Sequence, residues 1–183
     1  MLTIVAMLRG VNLGGHNLIR METLRALCAA CKFENAQTYL NSGNAIFRTK
    51  EKNLSAIGKR LEDAIEMERG FRPAVILRTT EEMHDVIARN PFAKRKNLDP
   101  AKFAVLFFNT ALLPETRRQL EAINVGPEEI KAHDRELYVY FPDGMGRSKA
   151  SAAIDRVVKK TATGRNWNSV MNMMEIAEKM DPQ

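Results

Sequence analysis

No apolar run in this sequence is long enough to cross a bilayer. The longest, Ile4–Leu8 and Phe103–Phe108, fall far short of the roughly 20 residues a spanning helix needs. Met1–Leu8 lacks both a basic leader and a small-residue cleavage site, so no signal peptide is expected and a cytoplasmic location follows by default. Blocks of five or more like charges are also missing. The densest basic cluster, Lys94-Arg95-Lys96, reads as a solvated loop. The three histidines, His16, His84 and His133, have no metal-ligand spacing, so neither metal nor cofactor is expected. H-E-x-x-H, the serine elbow and other local catalytic signatures are absent. Catalytic residues therefore stay unassigned, and since triads assemble from distant positions the sequence leaves open whether this is an enzyme.

Cysteine is scarce too, and the two present form a C-x-x-C, Cys28 and Cys31. Redox motifs of this kind sit at a helix N-terminus, where the dipole lowers the thiol pKa. Here the pair falls late in a helical pattern, Met21–Lys32, in phase with Leu24 and Leu27. Two buried, reduced thiols are expected, and a zinc site would need two further ligands that are not spaced for it.

What is present is the composition of a soluble globular chain: 45% apolar and 27% charged over 183 residues, enough for one domain or two small ones. The net charge of +6 biases the protein toward anionic partners.

Leu2–Leu8 reads as a central strand buried on both faces. An amphipathic helix over Met21–Lys32 follows. Ala36–Leu40 and Ala45–Thr49 read as strands around the turn residues Asn41-Ser42-Gly43-Asn44. Leu54, Ile57, Leu61, Ala64 and Ile65 give a second helix ended by Gly70, before a strand at Ala74–Arg78. The expected fold is α+β, built from two small subdomains. Residues 1–79 form the first, with the ferredoxin-like order β-α-β-β-α-β. Residues 80–183 form the second, a similar β-α-β-β-α unit plus a terminal helix. It opens with a capping box, Thr79 and Glu82, and then runs through a strand at Phe103–Phe108 and a helix from Pro114 to Gly126-Pro127. A hairpin, Glu128–Ala132 with Glu136–Phe141, and helices at Ser151–Lys160 and Val170–Met180 complete it.

This order carries a geometric consequence. The crossover makes strands one and two parallel, with strand three antiparallel between them. The end of the first strand and the tip of the hairpin then share one sheet edge. Arg9, Asn12, Asn41, Ser42 and Asn44 should gather there, although some thirty residues separate the two turns.

The turn at Arg9–Asn17, "RGVNLGGHN", has the glycine spacing of a phosphate loop. His16 and Asn17 stand where the lysine and the metal-binding hydroxyl belong, and Leu18-Ile19-Arg20 separate the loop from its helix. What remains is a strand-end turn able to hold one anion through backbone amides and Arg9. "GMGRSK" before a helix adds Arg147, Ser148 and Lys149 as candidate anion ligands. "GRNWN" adds Arg165, Asn166 and Asn168. There Trp167 reads either as a core anchor beside an Asn N-cap or as an aromatic platform.

The expected partner is an anionic, phosphate-bearing small molecule. The alternatives are nucleic acid bound through the basic surface, or a protein-interaction domain in which these motifs serve only turns and caps. An RNA-binding sheet stacks bases on aromatics of strands one and three. Strand one here has none, and strand three offers only Phe47. No membrane partner is expected, and the sequence does not set an oligomeric state.

"MLRGVNLGGHN", "TYLNSGNAIF", "VILRTTEEM", "NPF", "ELYVYFPDGMGRSK" and "RNWNSV", in this order, resemble a mainly bacterial family, domain-of-unknown-function family sixteen ninety-seven. The resemblance spans residue 2 to about residue 176. It implies two small α+β subdomains, the first ferredoxin-like, and brings no established activity, cofactor or catalytic residue. The family usually has lysine at the position of His16 and more often threonine at that of Gly164. Histidine in place of that lysine makes any anion contact there weaker or pH-dependent.

Overall fold

The computed structural model describes residues 1–159 and 161–181, with the backbone alone at position 147. Among them are two four-stranded antiparallel sheets and six α-helices. Contacts divide the chain into two compact units: Met1–Asp85 together with the segment from Met171 onward, and Val86–Val170. No helix among the described residues is long and apolar enough to cross a membrane.

The first unit runs β1 (Leu2–Leu8), α1 (Met21–Ala30), β2 (Glu34–Tyr39), β3 (Asn44–Thr49), α2 (Leu54–Arg69) and β4 (Val75–Thr79). Its sheet has the order β2-β3-β1-β4. Ile4–Met7 in β1 have no exposed surface, as an unbroken apolar run predicts for a central strand. On one face Ile4, Ala6, Leu8, Ala45, Phe47, Val75 and Leu77 pack with Leu24 and Cys28 of α1 and Ile57, Leu61 and Ile65 of α2. Phe33 stacks on Phe47 with ring centroids 4.2 Å apart. Helix α2 starts where the Asn53 side chain accepts from the Ala56 N–H and ends at Gly70 in the left-handed region, φ 73°. Such a glycine stop avoids the Cβ strain another residue would carry.

Helix α3 (Thr80–Ala88) follows. Its capping box is reciprocal: Thr79 N–H donates to Glu82 Oε2 at 2.9 Å, and Glu82 N–H donates to Thr79 Oγ1 at 3.1 Å.

The second unit contains β5 (Phe103–Phe107), α4 (Pro114–Glu121), β6 (Glu129–His133), β7 (Glu136–Tyr140), α5 (Lys149–Val158) and β8 (Thr163–Asn166), and α6 (Trp167–Met180) begins in it. The sheet order is β6-β7-β5-β8, position for position that of the first unit. Leu137, Val139 and Phe141 face the helices, packing with Leu120, Ala150, Ile154 and Val158.

Strand β8 corrects the expectation of β-α-β-β-α plus a terminal helix. Thr-Gly-Arg-Asn has no apolar alternation and a glycine of poor strand propensity, so local pattern points to a loop. Pairing decides instead: Val105 lies opposite Arg165 and Phe107 opposite Thr163 along β5. The terminal helix accordingly starts at Trp167, three residues before the expected Val170. Helix α4 also stops at Glu121, ahead of Gly126-Pro127, and α5 starts at Lys149 rather than Ser151.

Both cysteines are free, with Cys28 fully buried and Cys31 nearly so. Burial, reinforced by the Cys31 charge, pushes the Cys28 thiol from its ordinary 9.0 up to about 12. Burial also raises Cys31, partly offset by Arg60. These thiols hold their protons more tightly folded than unfolded. The Cys28 contribution to stability is therefore complete below pH 9 and is lost as the pH climbs toward 12, and that of Cys31 is lost in the same direction. At pH 8 neither thiol should react with a disulfide reagent until denaturant is added. Rapid labelling of the native protein would contradict the buried, protonated pair.

Candidate functional site

The two units solve the same problem at the end of their central strand, and solve it differently. After β5 only Phe108–Leu113 precede α4; after β1 the whole of Arg9–Arg20 precedes α1. Each strand end docks on its hairpin tip in the same way. Leu8 N–H donates to Gly43 O at 2.8 Å, and Phe108 N–H donates to Arg135 O at 3.0 Å. The longer loop of the first unit is thus surplus to the fold.

That surplus is a small hairpin on a fixed stem. Asn12 sits in the left-handed region at φ 54°, and its side chain acts as a piece of β-ladder. Its Oδ1 accepts from Ile19 N–H at 2.8 Å. Its Nδ2 donates to Ile19 O at 2.9 Å and to Asn41 O at 2.7 Å. Asn17 Nδ2 donates to Gly10 O, and Asn12 N–H donates to Asn17 O. The two turns expected to be neighbours are therefore bonded through Asn12. Between stem residues, Leu13–Leu18 are all exposed, with Leu13 at 66% and Leu18 at 53%.

Beside this stem an open groove of about 710 Å³ is lined by Asn12, Leu18, Ile19, Arg20, Met21, Thr23, Asn41 and Arg69. Two of these are arginines and none is a carboxylate; Glu22, in the first turn of α1, is not part of the lining. Arg69 comes from the last turn of α2 and is oriented by donating from Nε to Leu18 O at 3.2 Å. The N-terminus of α1 opens here too. Its N-cap is Arg20, with no side-chain cap hydrogen bond; α4 likewise starts without one, after Leu113, whereas Asn53, Thr79, Ser148 and Asn166 cap α2, α3, α5 and α6. Uncapped first-turn amides and two cations form an anion-friendly corner.

Of the residues expected at this edge, Asn12 and Asn41 reach the groove. Arg9 is half-buried outside the lining, its N–H donating to Ala74 O. Asn44 is fully buried and holds the hairpin turn, donating to Tyr39 O and to Ser42 Oγ. The remaining candidates lie in the second unit. The Arg147 side chain lies outside the described residues. Ser148 Oγ accepts from Ala150 N–H, with the exposed Lys149 opening the helix it caps. Arg165 is buried, donating from Nη1 to Thr163 Oγ1 and Gly164 O at 2.8 Å. Burial pulls its pKa down to about 10, leaving it charged at neutrality. Asn166 Oδ1 accepts from Ser169 N–H at 2.8 Å; Asn168 is exposed. Trp167 stacks on Phe103 at 4.7 Å, the core-anchor reading of "GRNWN".

Sequence reasoning missed Arg20 and Arg69. Arg69 reads locally as a cation favouring a helix C-terminus, and its contact with Leu18 spans 51 residues. Arg20 carried one usable signal, a helix start with no Ser, Thr, Asp or Asn before it.

The phenylalanines of the two sheets and Tyr138 offer no exposed ring for stacking a base, while Tyr39 of β2 and Tyr140 of β7 are half-buried. Phe47 lies on the helix-facing side of the first. In the second, Phe103, Phe107 and Tyr138 occupy the other face but are at most 1% exposed, and Tyr138 Oη donates to Val86 O at 2.8 Å.

The model of the family described as "Protein of unknown function (DUF1697)" matches residues 1–138. The chain belongs to this family. The match covers the whole strand-end loop, the hairpin tip and Arg69. Among solved structures, a conserved bacterial protein, SP0830 from Streptococcus pneumoniae, is similar with a TM-score of 0.76 at 18% identity, covering 97% of this chain and 99% of that one. At that identity the likeness concerns the fold. No curated protein is a significant match.

Proposed function

We propose that this member of the family binds a small anionic, carboxylate- or phosphate-bearing ligand in the groove at the end of β1. The observation that carries the reading is the convergence of Arg20, Arg69 and the uncapped start of α1 on one groove without a carboxylate. The arginines would bind the anion, the first-turn amides of α1 would complete its hydrogen bonds, and Asn12 would hold the walls in place. In the same reading each unit has a ferredoxin-like fold, supported by the repeated strand order and antiparallel pairing. The site then lies where the first unit departs from the repeat.

The test is a thermal-shift and calorimetric screen of the full chain against phosphate, pyrophosphate, nucleotides, sugar phosphates and simple carboxylates. A ligand that binds should lose roughly 10- to 100-fold in affinity on Arg69→Ala or Arg20→Ala, as expected for charge-assisted hydrogen bonds of about 1.5–3 kcal/mol each. Both arginines are exposed, so circular dichroism of the variants should match the parent. Stabilisation indifferent to both substitutions would remove the site. Binding only to RNA or DNA, collapsing steeply with salt, would favour the nucleic-acid alternative.

A further inference from the structure

We infer that the ligand of this groove is an amphipathic anion, an acidic head joined to an apolar body of several carbons, rather than inorganic phosphate or a polyphosphate. The inference rests on the anion reading above and adds the chemistry of the remainder of the ligand.

Three observations carry it. The groove is open to solvent and, at about 710 Å³, has room for more than a single phosphate. Its lining is divided: Arg20 and Arg69 supply charge, while the exposed Leu18 and the half-buried Met21 supply apolar surface; Ile19, also in the lining, turns its side chain into the core. Finally, Leu18 is held in water at 53% exposure with its backbone pinned. Its carbonyl accepts from Arg69 Nε, and its neighbour Ile19 is clamped at both N–H and C=O by Asn12. A leucine on a free loop is unremarkable, since single exposed apolar residues are common. Here the arginine that would bind the head also fixes the leucine that would cover the body. The second unit, with the same strand order and no such hairpin, shows that the fold does not require this arrangement. A polyphosphate would leave Leu18 and Met21 beside charged oxygens and would itself lose water there without compensation.

The experiment titrates the full chain calorimetrically with two homologous series, straight-chain carboxylates from acetate to octanoate and alkyl monophosphates of the same lengths. Inorganic phosphate, pyrophosphate and octanol serve as references. Affinity should rise about two- to fourfold per methylene, and the series with the steeper and tighter curve identifies the head group. Leu18→Ser should flatten the gradient, lowering octanoate affinity far more than acetate affinity. Arg69→Ala should weaken every member by a similar factor. A flat gradient, pyrophosphate binding as tightly as the longest chain, octanol binding as well as octanoate, or a gradient untouched by Leu18→Ser would each overturn the inference. The anion reading fails separately: in that case neither the references nor any chain length binds in a manner dependent on Arg20 or Arg69.

Discussion

Gly43→Ala should destabilise the protein by about 2–5 kcal/mol, among the largest effects of any single methyl group added to this chain. Two costs combine at this position. Gly43 has φ +75°, in the left-handed region, where an L side chain costs roughly 1–2 kcal/mol. A Cβ there would also overlap Val11 Cγ2 and lie 2.9 Å from Leu8 Cβ, and overpacking of that kind adds roughly 1–3 kcal/mol. Neither neighbour can retreat easily, because Leu8 and Val11 are core residues at 1% and 2% exposure. The backbone cannot back away either, since Gly43 O accepts from Leu8 N–H at 2.8 Å. Gly10→Ala is the matched control. It has φ +67° but open space around the built Cβ, so it should show the conformational cost alone. Urea midpoints of the two variants decide the matter; equal losses would mean that the close approach of the hairpin tip to the β1 end is not what Gly43 is for.

That close approach was legible before the structure, because it depends on topology. The order β-α-β-β with a right-handed crossover places the end of strand one beside the β2–β3 turn whatever the side chains are. The capping box at Thr79 and Glu82 was legible for the opposite reason, being local in sequence and in space. Between those extremes reading fails in a characteristic way. Thr163–Asn166 is a strand because β5 offers an open edge, a fact invisible in the four residues themselves. Asn12 and Asn44 read as candidate ligand residues at the sheet edge, yet both spend their amides on bracing backbone. Asparagine that imitates a β-ladder and asparagine that binds a ligand have the same composition and the same turn context. Arg69 is not legible as a groove residue because its relevant neighbour is 51 residues away. Sequence therefore located the edge of the sheet better than it assigned the residues at that edge.

Asn12→Asp is the change that should separate bracing from binding, and it is expected to cost about 2–4 kcal/mol. The carboxylate can still accept from Ile19 N–H but has no hydrogens to donate. It would face Ile19 O and Asn41 O, which now receive both amide protons at 2.9 and 2.7 Å. Two lost hydrogen bonds at about 1 kcal/mol each, with unfavourable oxygen–oxygen approach on top, set the scale. Since the stem alone is affected, the loss should be local as well as global. Hydrogen exchange at Asn12, His16 and Ile19, whose N–H groups are bonded within the loop, should rise well beyond that in β1, whose own pairing with β3 and β4 is untouched. Asn12→Ala should fall between Asp and the parent, because it removes the bonds without adding charge. The same series discriminates at the groove. An Asp beside Arg20 and Arg69 repels an anion directly, whereas Ala only loosens the wall. Ligand affinity should therefore drop more from Ala to Asp than from Asn to Ala, while stability divides more evenly between the two steps. Parallel losses in affinity and stability across both steps would mean that Asn12 shapes the loop and that the anion, wherever it binds, does not sit beside it.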